Sequence, residues 1–150
     1  MEPYEIVPAR PPDWPSVATL LRDSGLPLDG LEGHLAATII ARDASSILGC
    51  AALEVYGTDA LLRSVAVAAA HRGKGLGEAL TAAAIALARQ RGVRAVYLLT
   101  ETAERFFPRF GFEETTREAV PPTVRASDEF TTACPASATV MVLPLRSGAT

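Results

Sequence analysis

Val65-Ala66-Val67-Ala68-Ala69-Ala70-His71-Arg72-Gly73-Lys74-Gly75-Leu76-Gly77 reads as the end of a strand, a basic glycine-rich turn and the opening of an alanine-rich helix. The first amides of a helix lack intrahelical partners, and with the helix dipole they favour an anion. Gly73, Gly75 and Gly77 remove side chains that would hold a phosphate away from the backbone, and Arg72 and Lys74 add positive charge. Packing a strand-to-helix turn asks for one glycine rather than three flanked by cations. The spacing excludes two other phosphate loops. Lys74 is followed by Gly75, where a nucleoside-triphosphate loop needs Ser or Thr, and Gly73-Lys74-Gly75-Leu76-Gly77 runs into Glu78-Ala79-Leu80 without completing GxGxxG.

The hydrophobic period changes at this turn. Before it, Glu5–Arg10, Ala37–Ala41, Ile47–Tyr56 and Leu61–Val67 read as strands. The turns at Arg42–Ser46 and Gly57–Asp59 predict that the last three form an antiparallel meander. Pro8 suggests an edge position or a strand end. Pro12–Asp23 reads as a helix that Asp13 can cap, with Trp14, Val17, Ala18 and Leu21 on one face. Ser24–Gly30 is a loop, and Leu31–Leu35 a short helical turn. After the glycine turn, Gly75–Arg91 is a helix closed by Gly92. Ala95–Thr100 is a near-continuous apolar strand expected to be buried on both faces. A strand–helix–strand crossover predicts that Leu61–Val67 and Ala95–Thr100 run parallel. Thr102 can cap a further helix, Ala103–Phe110, ending at Gly111. Phe112–Thr116 and Ser137–Leu145 are strands, with an irregular or short helical segment from Pro121 to about Ala133 between them. The expectation is one mixed α/β (α+β) domain over residues 1–150.

Composition narrows the function classes. The 150 residues are 49% hydrophobic and 21% charged, with net charge −3, ordinary for a globular protein and against a general nucleic-acid binder. Two cysteines, Cys50 and Cys134, form no CxxC pair, which argues against a disulfide framework or a structural zinc. The start, Met1-Glu2-Pro3-Tyr4, has no basic and apolar leader, and no apolar run is long enough to cross a bilayer. A cytoplasmic protein is the expectation.

Arg72, Gly75 and Gly77 fill the pattern Arg/Gln-x-x-Gly-x-Gly/Ala. With the strand before it, the helix after it, Ala95–Thr100 and Phe106-Phe107-Pro108-Arg109-Phe110-Gly111-Phe112, the chain resembles the GNAT family of acetyl-CoA-dependent N-acetyltransferases, most strongly from about Leu48 to Phe112. The resemblance implies a mixed sheet whose parallel pair splays apart. It implies acetyl-CoA as co-substrate without a metal. The pyrophosphate would sit on Arg72, Gly73, Lys74, Gly75 and Gly77, the pantetheine arm would pair with Val65 and Val67, and Phe107 would lie along it. An amine would attack the thioester directly, and a backbone amide near Val65 would stabilise the oxyanion. Many family members carry a tyrosine at the Phe107 position to protonate the departing thiolate. Phe107 cannot do this, and Tyr97, within a strand, is expected to pack. A thiol of pKa about 8.5 can leave unassisted or through water.

Candidate acid–base residues are Glu54, Arg63 and Glu101. If the Gly57–Asp59 turn closes a hairpin, Glu54 and Arg63 can lie opposite each other. They then form either an ion pair on a solvated face or a base and an orienting cation. Glu101 is a second candidate or simply a charge favourable near a helix start. His34 is expected to be structural or at a substrate lid, and His71 a turn residue or a weak phosphate contact rather than a base. Cys134 has no histidine placed to activate it.

Leu53–Gly57 leading into Leu61–Val67, Tyr97–Ala103, and the tail Val124–Ala138 resemble the GNAT branch found in arsenic-resistance gene sets, itself similar to N-acetylglutamate synthase. That resemblance implies a small amino-acid-like acceptor, with Arg63, Arg125 and Ser137 in contact with it, Ser24–Gly30 and Pro121–Ala136 walling the site, and a homodimer. A protein or polyamine acetyltransferase and a non-catalytic acyl-CoA-binding domain are the alternatives.

Overall fold

A computed structural model describes residues 3–133 and 137–145 of the chain. Cys134 lies outside them. Within the described residues, seven strands form one sheet in the order β1-β2-β3-β4-β5-β7-β6. They are β1 (Glu5–Pro8), β2 (Thr38–Arg42), β3 (Ile47–Tyr56), β4 (Asp59–Val67), β5 (Ala95–Thr100), β6 (Glu113–Thr115) and β7 (Thr139–Pro144). Neighbours are antiparallel except β4 and β5. The meander and the parallel crossover are as the turn chemistry requires, and Pro8 ends the edge strand β1. The sequence pattern does not disclose that β7 inserts between β5 and β6.

Alternation along the strands sorts the sheet into two faces. Ala51 and Leu53 of β3 and Ala60 and Leu62 of β4 point to one face. There the helix α2 (Leu76–Gln90) lays down Leu76, Leu80, Ala84, Ile85 and Ala88. Cys50 and Ala52 point to the other, under helix α1 (Trp14–Asp23), which contributes Val17, Leu20 and Leu21. Further along that second face, Leu61 packs with Val120, Val124 of the short helix α3 (Pro122–Arg125), Phe130 and Val140. Glu54 and Arg63 belong by parity to this second face. They are buried between the two apolar clusters, at 1% and 3% exposure, rather than standing on a solvated surface. Their register is also diagonal: Glu54 faces Leu61, and Arg63 faces Ala52.

Three local expectations are corrected. Asp13 does not cap α1. Its carboxylate accepts from the Arg10 amide behind it at 2.9 Å. β5 is not buried on both faces: Val96 and Leu98 face α2 while Tyr97 and Leu99 are half-buried on the second face. No α-helix spans Ala103–Phe110. A turn, in which the Thr100 hydroxyl accepts the Ala103 amide, leads to a 3-10 turn at Phe107–Phe110 closed by Gly111 at φ +100°. Pro108 lacks the amide a continuing helix needs, and the rings of Phe106, Phe107, Phe110 and Phe112 pack against one another instead.

The approach of α2 to the sheet depends on Gly49. A Cβ there would stand 2.8 Å from the Ala66 carbonyl oxygen and 2.8 Å from Leu80 Cδ1. Gly49→Ala should therefore destabilise the fold by about 1–3 kcal/mol through overpacking, read as a lowered urea midpoint. An unchanged midpoint would show that the interface yields freely.

Candidate active site

Two irregularities of β4 create a cleft. Its parallel pairing to β5 covers only Asp59–Leu61 against Ala95–Tyr97, although both strands continue. Against β3, the register jumps from Ala52–Arg63 to Cys50–Ala66, so Ser64 and Val65 together oppose Ala51. This is a β-bulge, which bends and twists the strand that carries it. Ser64 adopts φ +60°, a strained region for a residue with a side chain. The extra residue reverses the parity of the last three residues of β4. Ala66 joins the α1 face, while Val65 and Val67 turn toward the α2 face. Beyond Leu61 the edge of β4 has no strand beside it on the β5 side, and a cavity of about 850 Å³ opens there.

The cavity wall joins several regions that the sequence separates widely. Val65, Val67, Arg72, Gly77 and Phe107 line it at one end. Arg63, Ser64 and Glu129 line it at another, with the Ser24–Pro27 loop, Leu98–Ala103 and Ala138 between. Gly73, Lys74 and Gly75 are exposed on the turn outside. Gly75 caps α2 at φ +81°, and a Cβ built on it meets nothing within 4 Å. The first amide of α2 to bond within the helix region is Ala79, to Gly75 oxygen at 3.1 Å. The amides of Leu76, Gly77 and Glu78 precede it and are left to an outside acceptor. Arg72 Nε donates to the Val67 carbonyl at 3.0 Å, which ties the turn to the end of β4. An anionic group can sit on this turn, and an extended arm can follow the free strand edge into the cavity.

At the inner end, Arg63 is wholly buried and almost fully engaged by protein. Its Nη1 donates to Glu54 Oε2 at 2.8 Å and to the Asp29 carbonyl. Nη2 donates to the Pro27 carbonyl at 3.0 Å, and Nε to Ser64 Oγ at 3.2 Å. Of the five guanidinium hydrogens, one on Nη2 has no acceptor among the described residues. Arg63 thus clamps the Ser24–Gly30 loop to the sheet, and its fork has no free pair of N–H groups for a bidentate contact with a ligand carboxylate. Glu54 is closed off as well. Its other oxygen accepts from the Tyr56 hydroxyl and lies 3.6 Å from His34 Nε2. Burial, then the hydrogen bond to Glu54, push the Tyr56 hydroxyl pKa up.

Glu129 is a buried carboxylate on the cavity wall that the sequence did not single out. It starts a single π-type turn, Glu129–Ala133, after α3. The burial of Phe130 fixes this turn, together with the Ser127 hydroxyl, which accepts the Phe130 amide at 3.2 Å. Glu129 is 5% exposed, with Oε1 3.5 Å from Arg63 Nε and Oε2 without a hydrogen-bond partner among the described residues. Burial pushes its carboxyl up to about 7, against the pull of Arg63, and Glu54 adds to the rise. Its only sequence signal is a carboxylate beside an aromatic, Glu129-Phe130, in a segment without period.

The remaining candidates are spread out. Glu101 is exposed on the cavity wall. Arg125 is exposed on α3 and Ser137 is exposed beside Ala138; neither lines the cavity. The two expected walls do meet, since a Cβ on Gly30 would lie 2.7 Å from Asp128 Oδ2. Cys50 is buried, its thiol pushed up to about 12 by burial, and donates to the Ser64 carbonyl at 3.2 Å inside the bulge. Among the described residues, no group of three or more His, Cys, Asp or Glu side chains could hold a metal ion, and no helix is long and apolar enough to cross a membrane.

The buried charges bear on stability. Arg63→Met leaves Glu54 uncompensated and should cost about 3–5 kcal/mol. Adding Glu54→Gln should recover much of that loss in chemical denaturation, and no recovery would break the pairing. Glu129 keeps its proton to higher pH folded than unfolded, where the ordinary value is 4.5. Its contribution is therefore complete below that value and is lost as pH rises toward 7. Relative to Glu129→Gln, the native chain should lose up to roughly 1.4 kcal/mol per pH unit within that window. Parallel pH–stability curves would contradict the burial argument.

The family model described as "Acetyltransferase (GNAT) domain" matches residues 34–114, more than half of the chain. An uncharacterised N-acetyltransferase of Chlorobaculum tepidum is 34% identical over 89 residues, covering 59% of this chain and 57% of the relative. The chain thus spans little more than half the length of that relative. N-acetylglutamate synthase of Neisseria gonorrhoeae, solved with coenzyme A and N-acetyl-glutamate, shares the fold with a TM-score of 0.82 and 24% identity. The match covers 97% of this chain and 36% of that one. The Mycobacterium tuberculosis protein Rv2747, solved with CoA and a second ligand, gives 0.80 and 25%, over 95% and 99% of the two chains. With the matching domain, the splayed parallel pair and the glycine turn in place, the chain belongs to the GNAT acetyltransferase family.

Proposed function

We propose that this chain is an N-acetyltransferase that passes the acetyl group of acetyl-CoA directly to the amine of a small acceptor. The observation that carries the reading is the continuity of the glycine turn, the unpaired edge of β4 and the cavity. One anionic, extended donor can span all three. The pyrophosphate would rest on the Arg72–Gly77 amides with Arg72 and Lys74 beside it. The pantetheine arm would add to β4 at Val65 and Val67 as a strand does, against Phe107. The bulge at Ser64–Val65 would then present a backbone amide to the thioester oxygen. Solved relatives that hold CoA support the donor.

For the acceptor, the likeness to a synthase solved with N-acetyl-glutamate supports an amino-acid-like molecule, and the sequence resemblance to the arsenic-resistance branch agrees in kind. Arg63 contributes positive charge to the wall, but its engaged N–H groups favour a second reading. In that reading the acceptor is a small amine recognised without a carboxylate clamp. The phenyl ring of Phe107 cannot protonate the leaving thiolate, which would leave unassisted or through water.

Release of CoA measured over a panel of amino acids and carboxylate-free alkyl amines tests both readings. Turnover confined to amino acids supports the first, and turnover of plain amines the second. Binding of acetyl-CoA without turnover on any amine would overturn the enzymatic reading. Gly75→Glu should weaken acetyl-CoA binding by about 100-fold, the loss of two charge-assisted hydrogen bonds at about 1.5 kcal/mol each. Unchanged affinity would remove the turn from the donor site.

A further inference from the structure

The cavity's one buried side-chain atom without a partner among its described wall residues belongs to Glu129. A buried carboxylate oxygen left unsatisfied costs about 1–3 kcal/mol or more, so its retention calls for a donor that arrives from outside. Neighbouring charges decide which kind. Arg63 of β4 stands on the Oε1 side at 3.5 Å. Glu54 of β3 lies behind Arg63, and its own oxygens are held by Arg63, Tyr56 and the approach of His34. Glu101, after β5, is exposed on the wall of the same cavity. With Arg63 neutralised by Glu54 and its fork engaged, an ionised Glu129 leaves the inner wall with an excess of negative charge. The site therefore suits a cation with N–H donors.

We infer that Glu129 receives the acceptor's ammonium group on its free oxygen and removes the proton that blocks attack. This rests on the transferase reading and names a residue that the reading did not need. Glu129, as carboxylate, takes one proton from R–NH3+ and becomes the acid, leaving the nitrogen lone pair free. That lone pair forms the C–N bond to the thioester carbonyl carbon as the C–S bond breaks. The second nitrogen proton ends on the departing sulfur through water, and the proton on Glu129 returns to solvent. Atoms and charge balance as acetyl thioester plus ammonium giving amide, thiol and one released proton. Glu129 is suited to this because it is held by Phe130 and Ser127, not by the ligand. It also exchanges its proton near neutrality, where a general base works best.

The test uses the amine that the native chain turns over fastest in the panel, at saturating acetyl-CoA, with kcat/KM for the amine measured from pH 5 to 9. The native chain should show an acidic limb bending near 7. Glu129→Gln should lower kcat/KM by about 10²–10⁴-fold and lose the bend, following only the free-amine fraction, while acetyl-CoA affinity stays within about twofold of native. A merely structural loss of the Arg63 contact would lower activity without removing the bend, and that result overturns the inference. If Glu129→Gln does not fold, Glu129→Asp serves, with a reduced rate and a displaced bend expected. A variant that keeps the native bend and rate overturns the inference while leaving the transferase reading intact. A native chain that binds acetyl-CoA but acetylates nothing overturns both.

Discussion

The parting of β4 from β5 after Leu61 shapes the cleft, and a buried charge cluster lies beside it. Two parallel strands joined by a helical crossover would ordinarily pair along their length, closing the sheet. Here one extra residue at Ser64–Val65 bends β4 away. It reverses which face Val65, Ala66 and Val67 occupy and leaves a strand edge open beside a cavity. An unpaired edge is normally a liability. In this fold it is internal, walled by Leu98–Ala103 and Phe107, and reachable by one extended ligand. The strain at Ser64 is sustained by contacts on both sides: the Cys50 thiol on its carbonyl and Arg63 Nε on its hydroxyl.

The charge cluster lies just ahead of that bulge. Arg63 precedes it on the second face, where parity buries its guanidinium between two apolar clusters. A buried cation must be paired and hydrogen-bonded, and Arg63 achieves this with Glu54 from the neighbouring strand and with two carbonyls of the Ser24–Gly30 loop. The loop is thereby fixed over the cavity, and the segment carrying Glu129 packs against it at Gly30 and Asp128. The cleft thus follows from the register shift, and the charge cluster beside it from the regular parity of β3 and β4 ahead of that shift.

Much of this is legible in residues whose signal is local. The Val65–Gly77 stretch, the Gly57–Asp59 turn, Gly92 at φ +76° and the period of α2 each declare their conformation without reference to distant parts. The features that escape the sequence depend on tertiary partners. The place of β7 between β5 and β6 follows from packing Val140 on one face and Met141 and Leu143 on the other, and no turn residue encodes it. The helix expected at Ala103–Phe110 fails because Pro108 and four phenyl rings outweigh a capping threonine. Glu54 and Arg63 are recognisable as a pair, but their burial is not, since the sequence does not show the α1 and α3 layer above them. Glu129 sits in an irregular segment where a carboxylate is ordinarily solvated. Only the fold turns it inward.

A crystal structure of the chain grown with coenzyme A and the preferred amine would show whether one donor spans the turn, the strand edge and the cavity. The expected result is pyrophosphate oxygens on the amides between Gly73 and Gly77, the pantetheine arm paired to β4 at Val65 and Val67, and the amine nitrogen between the coenzyme sulfur and Glu129 Oε2. Coenzyme bound elsewhere, or an amine seated away from Glu129 with the cleft between β4 and β5 closed, would contradict it.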